Sequence, residues 1–324
     1  MIDFTLAALA PMEAELAPLK PLMPSSYGRG VEGLAESIRA LGLLRPLLIW
    51  ADGGEHYLLA GSLRREALMR QGRSVAPALM LPPDFPREQA FALALADNQE
   101  RGWNQAETAL LWRFFVETLG TEGAANLAPY LGLAPSPKMR EWCLRAAGLP
   151  EQGLAALAEG RLDLETGARL AGWAPENLGP ALNLFDLLNP SKQKKKQWLD
   201  WLEDISRREF LCSAEVLEVE DIRTALADVE RVGRPATEEI IRKYLWTRRH
   251  PLLAELAAAR QARVRALALP RAARLELDPS LEDLKFGLNL TFATPAEFGQ
   301  VAETVAKLRQ SPDFQKLLDD DHES

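Results

Sequence analysis

The stretch from Tyr57 to Gly72, YLLAGSLRREALMRQG, constrains the chain more than any other. An apolar run of strand type (Tyr57, Leu58, Leu59, Ala60) meets Gly61 and Ser62, and a segment of helical pattern carrying Arg64 and Arg65 follows at once. Parts in that order build an anion site. Glycine lets a ligand approach the backbone, the first N–H groups of a helix point outward, and guanidinium forks grip phosphate at two points. The same order also serves as a plain strand-to-helix connection with its arginines in water, so the surroundings must decide.

Upstream, Glu32 to Leu41 sets Leu34, Ile38 and Leu41 on one helical face, and Gly42 stops the helix. Leu43 to Trp50 reads as a strand with Pro46 near its start. Asp52-Gly53-Gly54 is the turn into the Tyr57 strand. Downstream, Val75 to Leu81 is a strand closed by Pro82-Pro83, and Arg87 to Asn98 is a helix with Ala90, Leu93, Ala94 and Asp97 along one side. It runs into DNQERGWN, whose Asp97, Asn98 and Glu100 offer oxygen ligands for a hydrated magnesium ion beside one more guanidinium, Arg101. Taken alone, that cluster is also an ordinary polar helix end.

Gln105 to about Asp186 reads as wholly helical. Ala106 to Leu119 ends at Gly120, Thr121 to Tyr130 is a shorter helix, Gly132 turns, and Ser136-Pro137 reads as N-cap and first-turn proline of KMREWCLRAAGL. Helix, glycine turn, helix is the pattern of a helix-turn-helix. Ser136, Lys138, Met139, Arg140 and Arg145 then face the major groove or its phosphates, while Trp142, Leu144 and Ala147 pack. A plain helical hairpin with solvated charges fits the same pattern.

Asn189 to Gln197, NPSKQKKKQ, is a polar boundary: either a solvated connector or a phosphate contact through Lys194, Lys195 and Lys196. Trp198, Trp201, Leu202 and Ile205 form a core stripe beyond it. The helix Pro251 to Leu269 precedes strands at Arg274 to Leu277 and Lys285 to Phe292. Thr294-Pro295-Ala296-Glu297 is a capping box for a last helix bearing Phe298, Val301, Val305 and Leu308. A unit of helix, two strands and helix is too small to bury its faces, so a twin subunit is expected. The closing DDDHES reads as a frayed tail.

Three stretches in register resemble the ParB chromosome and plasmid partition proteins. Ser37 to Trp50 is similar to that family's helix-Gly-x-x-x-Pro-strand segment, with Arg45 where glutamine is usual. Ala60 to Leu68 resembles its Gly-Glu-Arg-Arg box, keeping Gly61 and Arg64 but carrying Ser62 and Leu63 between them. Ala96 to Glu107 resembles its Glu-Asn-x-x-Arg box, with Asp97 for the glutamate, Asn98 and Arg101 kept, and one residue fewer before Asn104. The likeness continues through Gly148-Leu149-Pro150, Glu159-Gly160 and Leu162, and departs at Glu165-Thr166-Gly167. The approach to the recognition helix is Ala134-Pro135-Ser136-Pro137 instead of a serine- and threonine-rich run, so target specificity does not carry over.

The resemblance implies an α+β, predominantly helical protein. A ParB/sulfiredoxin-like α/β domain spans 1–103, an all-α helix-turn-helix domain 104–188, a helical extension or linker 189–250, and a small dimerisation domain 251–318. It implies a pocket for CTP with Mg2+ whose filling closes a dimeric clamp on double-stranded DNA. Gly61, Ser62 and Arg64 would cradle phosphates with Arg65 beside them, Asn98 would hold the metal, Arg101 would assist, and Arg45 and Pro46 would line the base. Losing one charge-assisted contact at Leu63 would weaken such binding by about 1.5–3 kcal/mol. A homodimer and a ParA-type ATPase are the implied protein partners.

Composition bounds the rest. At 324 residues two or three domains are expected, and a net charge of -8 confines any DNA contact to a local face. Cys143 and Cys212 suggest no disulfide framework, and no apolar run reaches membrane-spanning length, so a cytoplasmic, nucleoid-associated protein is expected. His56, His250 and His322 are scattered, neither HExxH nor GxSxG occurs, and no cysteine lies near Gly61 for sulfiredoxin chemistry. Any catalysis is at most a slow CTP hydrolysis. Two alternatives stay open: a regulator or adaptor of the same fold without nucleotide, and an enzyme using the pocket for phosphoryl or phosphodiester chemistry.

Overall fold

The structure, a computed structural model, describes residues 9–52, 54–132, 136–270, 272–277, 286–308, 310–312 and 314–315. Gly53, Ala134-Pro135, Lys285 at the expected start of the second C-terminal strand, and the expected frayed tail lie outside them. The fold is α+β and predominantly helical, in two compact units: Met1–Asp200 with Phe210–Glu238, and Trp201–Glu209 with Glu239–Ser324.

The first unit begins with a mixed sheet of strands β1 (Ala10–Glu15), β2 (Lys20–Pro21), β3 (Leu47–Asp52), β4 (Glu55–Ala60) and β5 (Val75–Leu81), ordered β1-β5-β3-β4-β2. β3 pairs antiparallel with β4 and parallel with β5. Helices α1 (Glu32–Leu41), α2 (Ser62–Arg70) and α3 (Arg87–Asn98) complete the domain. Leu47, Ile49 and Leu58 of the sheet, Ile38 of α1, and Ala67 and Leu68 of α2 form its core. The sequence reading missed β1. Its Pro11, Glu13 and Glu15 disfavour a strand, but Met12, Ala14 and Leu16 alternate inward, and β1 sits at a sheet edge where proline is tolerated.

The polypeptide then turns helical. The helix α4 (Gln105–Leu127) starts with a complete capping box between Asn104 and Glu107, and leaves helical geometry at Gly120, where φ is 72° and ψ 175°. That is the stop expected at Gly120, spanned by two helical segments. Phe91 of α3 meets Phe114 and Phe115 of α4 at ring-centroid distances of 5.4 and 5.3 Å, and Trp50 of β3 at 6.3 Å. These rings join sheet domain to helical half. There α5 (Pro137–Ala146) packs on α4 and on α7 (Leu164–Leu170), with α6 (Glu151–Ala158) and α8 (Pro175–Leu188) alongside.

The lysine run is no connector: Lys192 opens α9 (Lys192–Glu209), and the Trp198, Trp201, Leu202 and Ile205 stripe on it is buried. Three short helices follow: α10 (Ser213–Leu217), α11 (Glu220–Ala227) and α12 (Val229–Val232). The helix α13 (Arg234–Arg249) belongs to the first unit up to Glu238 and to the second from Glu239, and within the second α14 (Pro251–Ala266) precedes the antiparallel pair β6 (Ala273–Leu277) and β7 (Phe286–Leu290). The last helix, α15 (Pro295–Leu308), carries the expected capping box, with Thr294 and Glu297 bonded in both directions at 3.2 Å. No residue of α14 is buried, and its Leu252 is 78% exposed. Among the described residues no helix is long and apolar enough to cross a membrane.

Candidate nucleotide cleft and nucleic-acid face

β4 delivers the chain to Gly61, which adopts φ 103° and ψ 23° to start α2 with no side-chain cap. Only glycine takes that conformation cheaply. A Cβ there would stand 2.8 Å from Leu47 Cδ2 and 3.1 Å from Arg64 Nε. The corner borders a cleft of about 210 Å³ lined by Arg45, Gly61, Ser62, Leu63, Arg64, Asp97, Asn98, Glu100 and Arg101, with Ser25, Ser26 and Leu34. Residues far apart in sequence thus converge: the segment before β3, the start of α2, and the end of α3 with the turn after it.

Its arginines are held in internal contacts. Arg64 donates to the Pro46 carbonyl at 2.8 Å and the Arg45 carbonyl at 3.1 Å, and pairs with the Asp97 carboxylate. Arg45 pairs with Glu100 at 3.1 Å, and both are well exposed. Arg101 donates to Asn98 Oδ1 at 3.0 Å, to Glu107 at 2.9 Å and to the Ser25 carbonyl, and stands over the Trp103 ring at 4.7 Å. Burial pushes its guanidinium down from the usual value, against the pull of Glu107. A polyanion has three guanidiniums to recruit, each by displacing an internal acceptor.

Two expected nucleotide residues stand apart from the cleft. Pro46 contributes only its carbonyl, as an acceptor for Arg64. Arg65 points elsewhere, donating to the Leu16 carbonyl at 2.7 Å and the Ala17 carbonyl at 3.3 Å. Consecutive helical residues are about 100° apart, so Arg64 and Arg65 cannot share one face. Ser25 and Ser26 were not foreseen; they lie in the turn-rich PSSYGRG loop, where only the tendency of loops to carry function offered a signal. For a metal, Asn98 Oδ1 already accepts from Arg101, and no group of three His, Cys, Asp or Glu side chains among the described residues is arranged to hold an ion. A magnesium ion that keeps its waters and rides on phosphate needs just one or two protein oxygens, and Asn98 and Asp97 are the residues that could offer them on release from Arg101 and Arg64.

The expected nucleic-acid face divides. Ser136, Lys138 and Arg145 are exposed, Lys138 over the Trp142 ring at 4.9 Å and Arg145 paired with Glu141 at 2.9 Å. Ser136 occupies the N-cap position without a side-chain cap bond. Met139 is half-buried. Arg140 turns inward, 5.3 Å from the Trp112 ring centroid with its Nε buried, because it shares a helical face with buried Cys143 and Ala147. Leu144, expected to pack, is exposed. In the lysine run, Lys195 is 5% exposed and donates to the Arg161 carbonyl and to Asn189 Oδ1 at 3.2 Å; burial pushes its ammonium down. Lys194 pairs with Glu238, and Lys196 reaches Glu165 at 3.8 Å. Lys192 lies 5.8 Å from the Trp142 ring and pairs with Asp163 at 3.4 Å and Glu165 at 3.2 Å. Burial lowers its pKa, but those carboxylates outweigh burial and hold it above its usual value. Lys138, Arg145, Lys192, Lys194 and Lys196 are therefore the exposed cations of this region, whereas Arg140 and Lys195 turn inward.

Fold and cleft define a class: an α/β domain with an arginine-lined corner, followed by a bundle of short packed helices. Comparison with known proteins places it further. The chain is 32% identical over 145 residues to the chromosome-partitioning protein Spo0J of Thermus thermophilus, covering 44% of this chain and 52% of that one. It is 26% identical over 132 residues to the nucleoid occlusion protein of Halalkalibacterium halodurans, covering 38% and 46%. With the chromosome-partitioning protein ParB of Myxococcus xanthus it shares 40% over 68 residues, covering 21% and 22%. The chain is ParB-like. It spans about half the length, or less, of these relatives. No family model matches it. Among solved structures, C-terminally truncated ParB from Caulobacter crescentus with the parS site aligns at 22% identity and TM-score 0.33, covering 57% of this chain and 97% of that one. The same protein with CTP-gamma-S aligns at 22% and 0.25, covering 55% and 99%.

Proposed function

We propose that this chain is a ParB-like DNA-binding protein, a dimeric clamp on duplex DNA regulated by CTP and magnesium, acting in chromosome or plasmid partition. One observation carries the reading: Arg45, Gly61, Ser62, Arg64, Asn98 and Arg101, which the family resemblance assigns to one nucleotide site, line one cleft. The names of the relatives support the partition role, and the CTP-gamma-S complex of the Caulobacter protein supports the ligand. In this reading Arg64 and Arg101 take phosphate oxygens, α2's first N–H groups add to them, and Asn98 with Asp97 orients the hydrated ion. When bound, magnesium would neutralise phosphate charge, with Asn98 and Asp97 as the residues that would hold it. Any turnover is slow hydrolysis, because the cleft carboxylates Asp97 and Glu100 are both held in ion pairs, with Arg64 and Arg45.

Lys138, Arg145, Lys192 and Lys196 supply the phosphate contacts. The unburied α14 and exposed Phe292 and Phe298 are the face that a second copy covers. A ParA-type ATPase is the further partner, and the nucleoid the place. The test is fluorescence anisotropy on a random-sequence duplex library, with and without CTP and magnesium. Salt-sensitive binding whose dissociation slows with CTP supports the reading; no binding to any duplex at 50 mM salt sinks it.

A specific observation favours one second reading. Every cleft arginine already has an internal acceptor, and about 210 Å³ is small beside the roughly 300–1,000 Å³ of ordinary ligand pockets. A DNA-binding regulator of this fold that needs no nucleotide accounts for both. DNA binding indifferent to every nucleoside triphosphate selects it.

A further inference from the structure

Behind the cleft lies a carboxylate that the nucleotide reading leaves unused. Glu107, in the first turn of α4, is fully buried. It accepts from Arg101 Nη1 at 2.9 Å, from Arg29 Nη2 at 2.7 Å and Nε at 3.1 Å, and from the Asn104 backbone N–H at 3.0 Å. A buried carboxylate stays charged only while such donors surround it, and losing one cation leaves it uncompensated. Arg29 and Arg101 are therefore linked through it: whatever draws on one loads the other.

Arg101 faces the cleft, and Arg29 belongs to a segment that joins the cleft to the helical half. Ser25 and Ser26 line the cleft wall, and the Ser25 carbonyl accepts from Arg101. Two residues on, the Tyr27 carbonyl accepts from Asn104 Nδ2 at 2.9 Å while its hydroxyl donates to Glu151 Oε1 of α6 at 2.7 Å. Gly28, at φ 67°, lies so close to α6 that an added Cβ would stand 2.6 Å from Ala158 Cβ. Arg29 closes the strap on Glu107 and the Gly102 carbonyl at 2.9 Å. Ser25 to Arg29 is thus cleft wall at one end and packing for α4 and α6 at the other.

We propose that Glu107 is the positioning residue through which occupancy of the cleft, by the nucleotide of the preceding reading, is passed to the strap Ser25 to Arg29 and on to α6. An anion that recruits Arg101 loosens its hold on Glu107 and on the Ser25 carbonyl. The strap shifts its load to Arg29, and the seat of α6 against α4 and α7 changes with it.

The test is amide hydrogen exchange on the full chain, in two arms. Without nucleotide, Arg101→Ala and Glu107→Gln each speed exchange of the Glu151 to Ala158 amides about tenfold, and the double variant adds nothing further. Unchanged exchange at α6 in Arg101→Ala overturns the proposal, as does full additivity. With CTP and magnesium, wild-type α6 exchange changes, while Tyr27→Phe, outside the cleft and shorn of the hydroxyl's bonds to Glu151, binds CTP as wild type but transmits at most a third of that change. Full transmission in Tyr27→Phe overturns it too. If Glu107→Gln fails to fold, Arg29→Lys replaces it in the first arm. Absence of CTP binding in wild type refutes the nucleotide reading alone, and the first arm still decides whether Glu107 couples cleft wall to helix.

Discussion

Replacing Arg64 with alanine separates a phosphate ligand from a structural tie, because the two roles have different readouts. In the free protein the guanidinium makes two bonds to the carbonyls of Arg45 and Pro46 and one ion pair to Asp97. Its side chain is 13% exposed and that of Asp97 26%, so water recovers part of what is lost. Bonds to charged groups contribute about 1.5–3 kcal/mol each. With the carbonyls and Asp97 partly rehydrated, a net loss of about 2–4 kcal/mol is expected. For a unit of this size that lowers Tm by roughly 5–15 °C, at about 2–4 °C per kcal/mol. If Arg64 also grips a triphosphate, a further charge-assisted contact of about 1.5–3 kcal/mol disappears from binding, or about ten- to a hundredfold in CTP affinity. Calorimetric titration at 15 °C, below both transitions, reads the second effect free of the first. Arg64→Lys should fall between, since lysine keeps the charge without the fork. A lowered Tm with unchanged CTP affinity would refute the phosphate role and leave Arg64 a brace between β3 and α3.

Three further outcomes are expected. Lys138→Ala should reduce the salt dependence of DNA affinity by about one unit of slope, whereas Arg140→Ala should leave DNA affinity alone and lower Tm by a few degrees, since its guanidinium lies on Trp112. Paired Leu252→Glu and Leu256→Glu substitutions should halve the mass measured by light scattering; an unchanged mass would remove α14 from the interface. Burial pushes the Cys143 thiol up to about 12, so at pH 8 it is essentially without thiolate, while Cys212 is half-buried at a helix start. Ellman's reagent should titrate one thiol in the native protein and two in urea; two fast thiols in the native state would contradict the packing of α5.

Much of the architecture was legible because local signals and tertiary packing agree. Gly42 after α1, Pro82-Pro83 after β5 and the Thr294–Glu297 box before α15 mark boundaries that the fold keeps. The errors share a cause. Lys195 and Arg140 were read as cations on a wet face, yet each sits on the buried stripe of its helix: Lys195 with Trp198, Leu199 and Leu202, and Arg140 with Cys143 and Ala147. Carrying each stripe one turn toward the N-terminus would have shown it, since long stems bury while their heads find acceptors. The convergence of Arg45, Arg64 and Arg101 was visible only through resemblance, because no local pattern joins residues so far apart. Nothing in the sequence marked the strap, whose importance comes from Glu107 lying beneath it.

The most direct measurement is a titration of the intact protein with CTP and magnesium by isothermal calorimetry, beside the Arg64→Ala and Asn98→Ala variants. One saturable site per chain, weakened at least tenfold in each variant and altered by added duplex DNA, is the expected result. A flat titration with wild-type protein that nevertheless binds DNA would contradict the claim that this cleft holds the ligand governing the clamp.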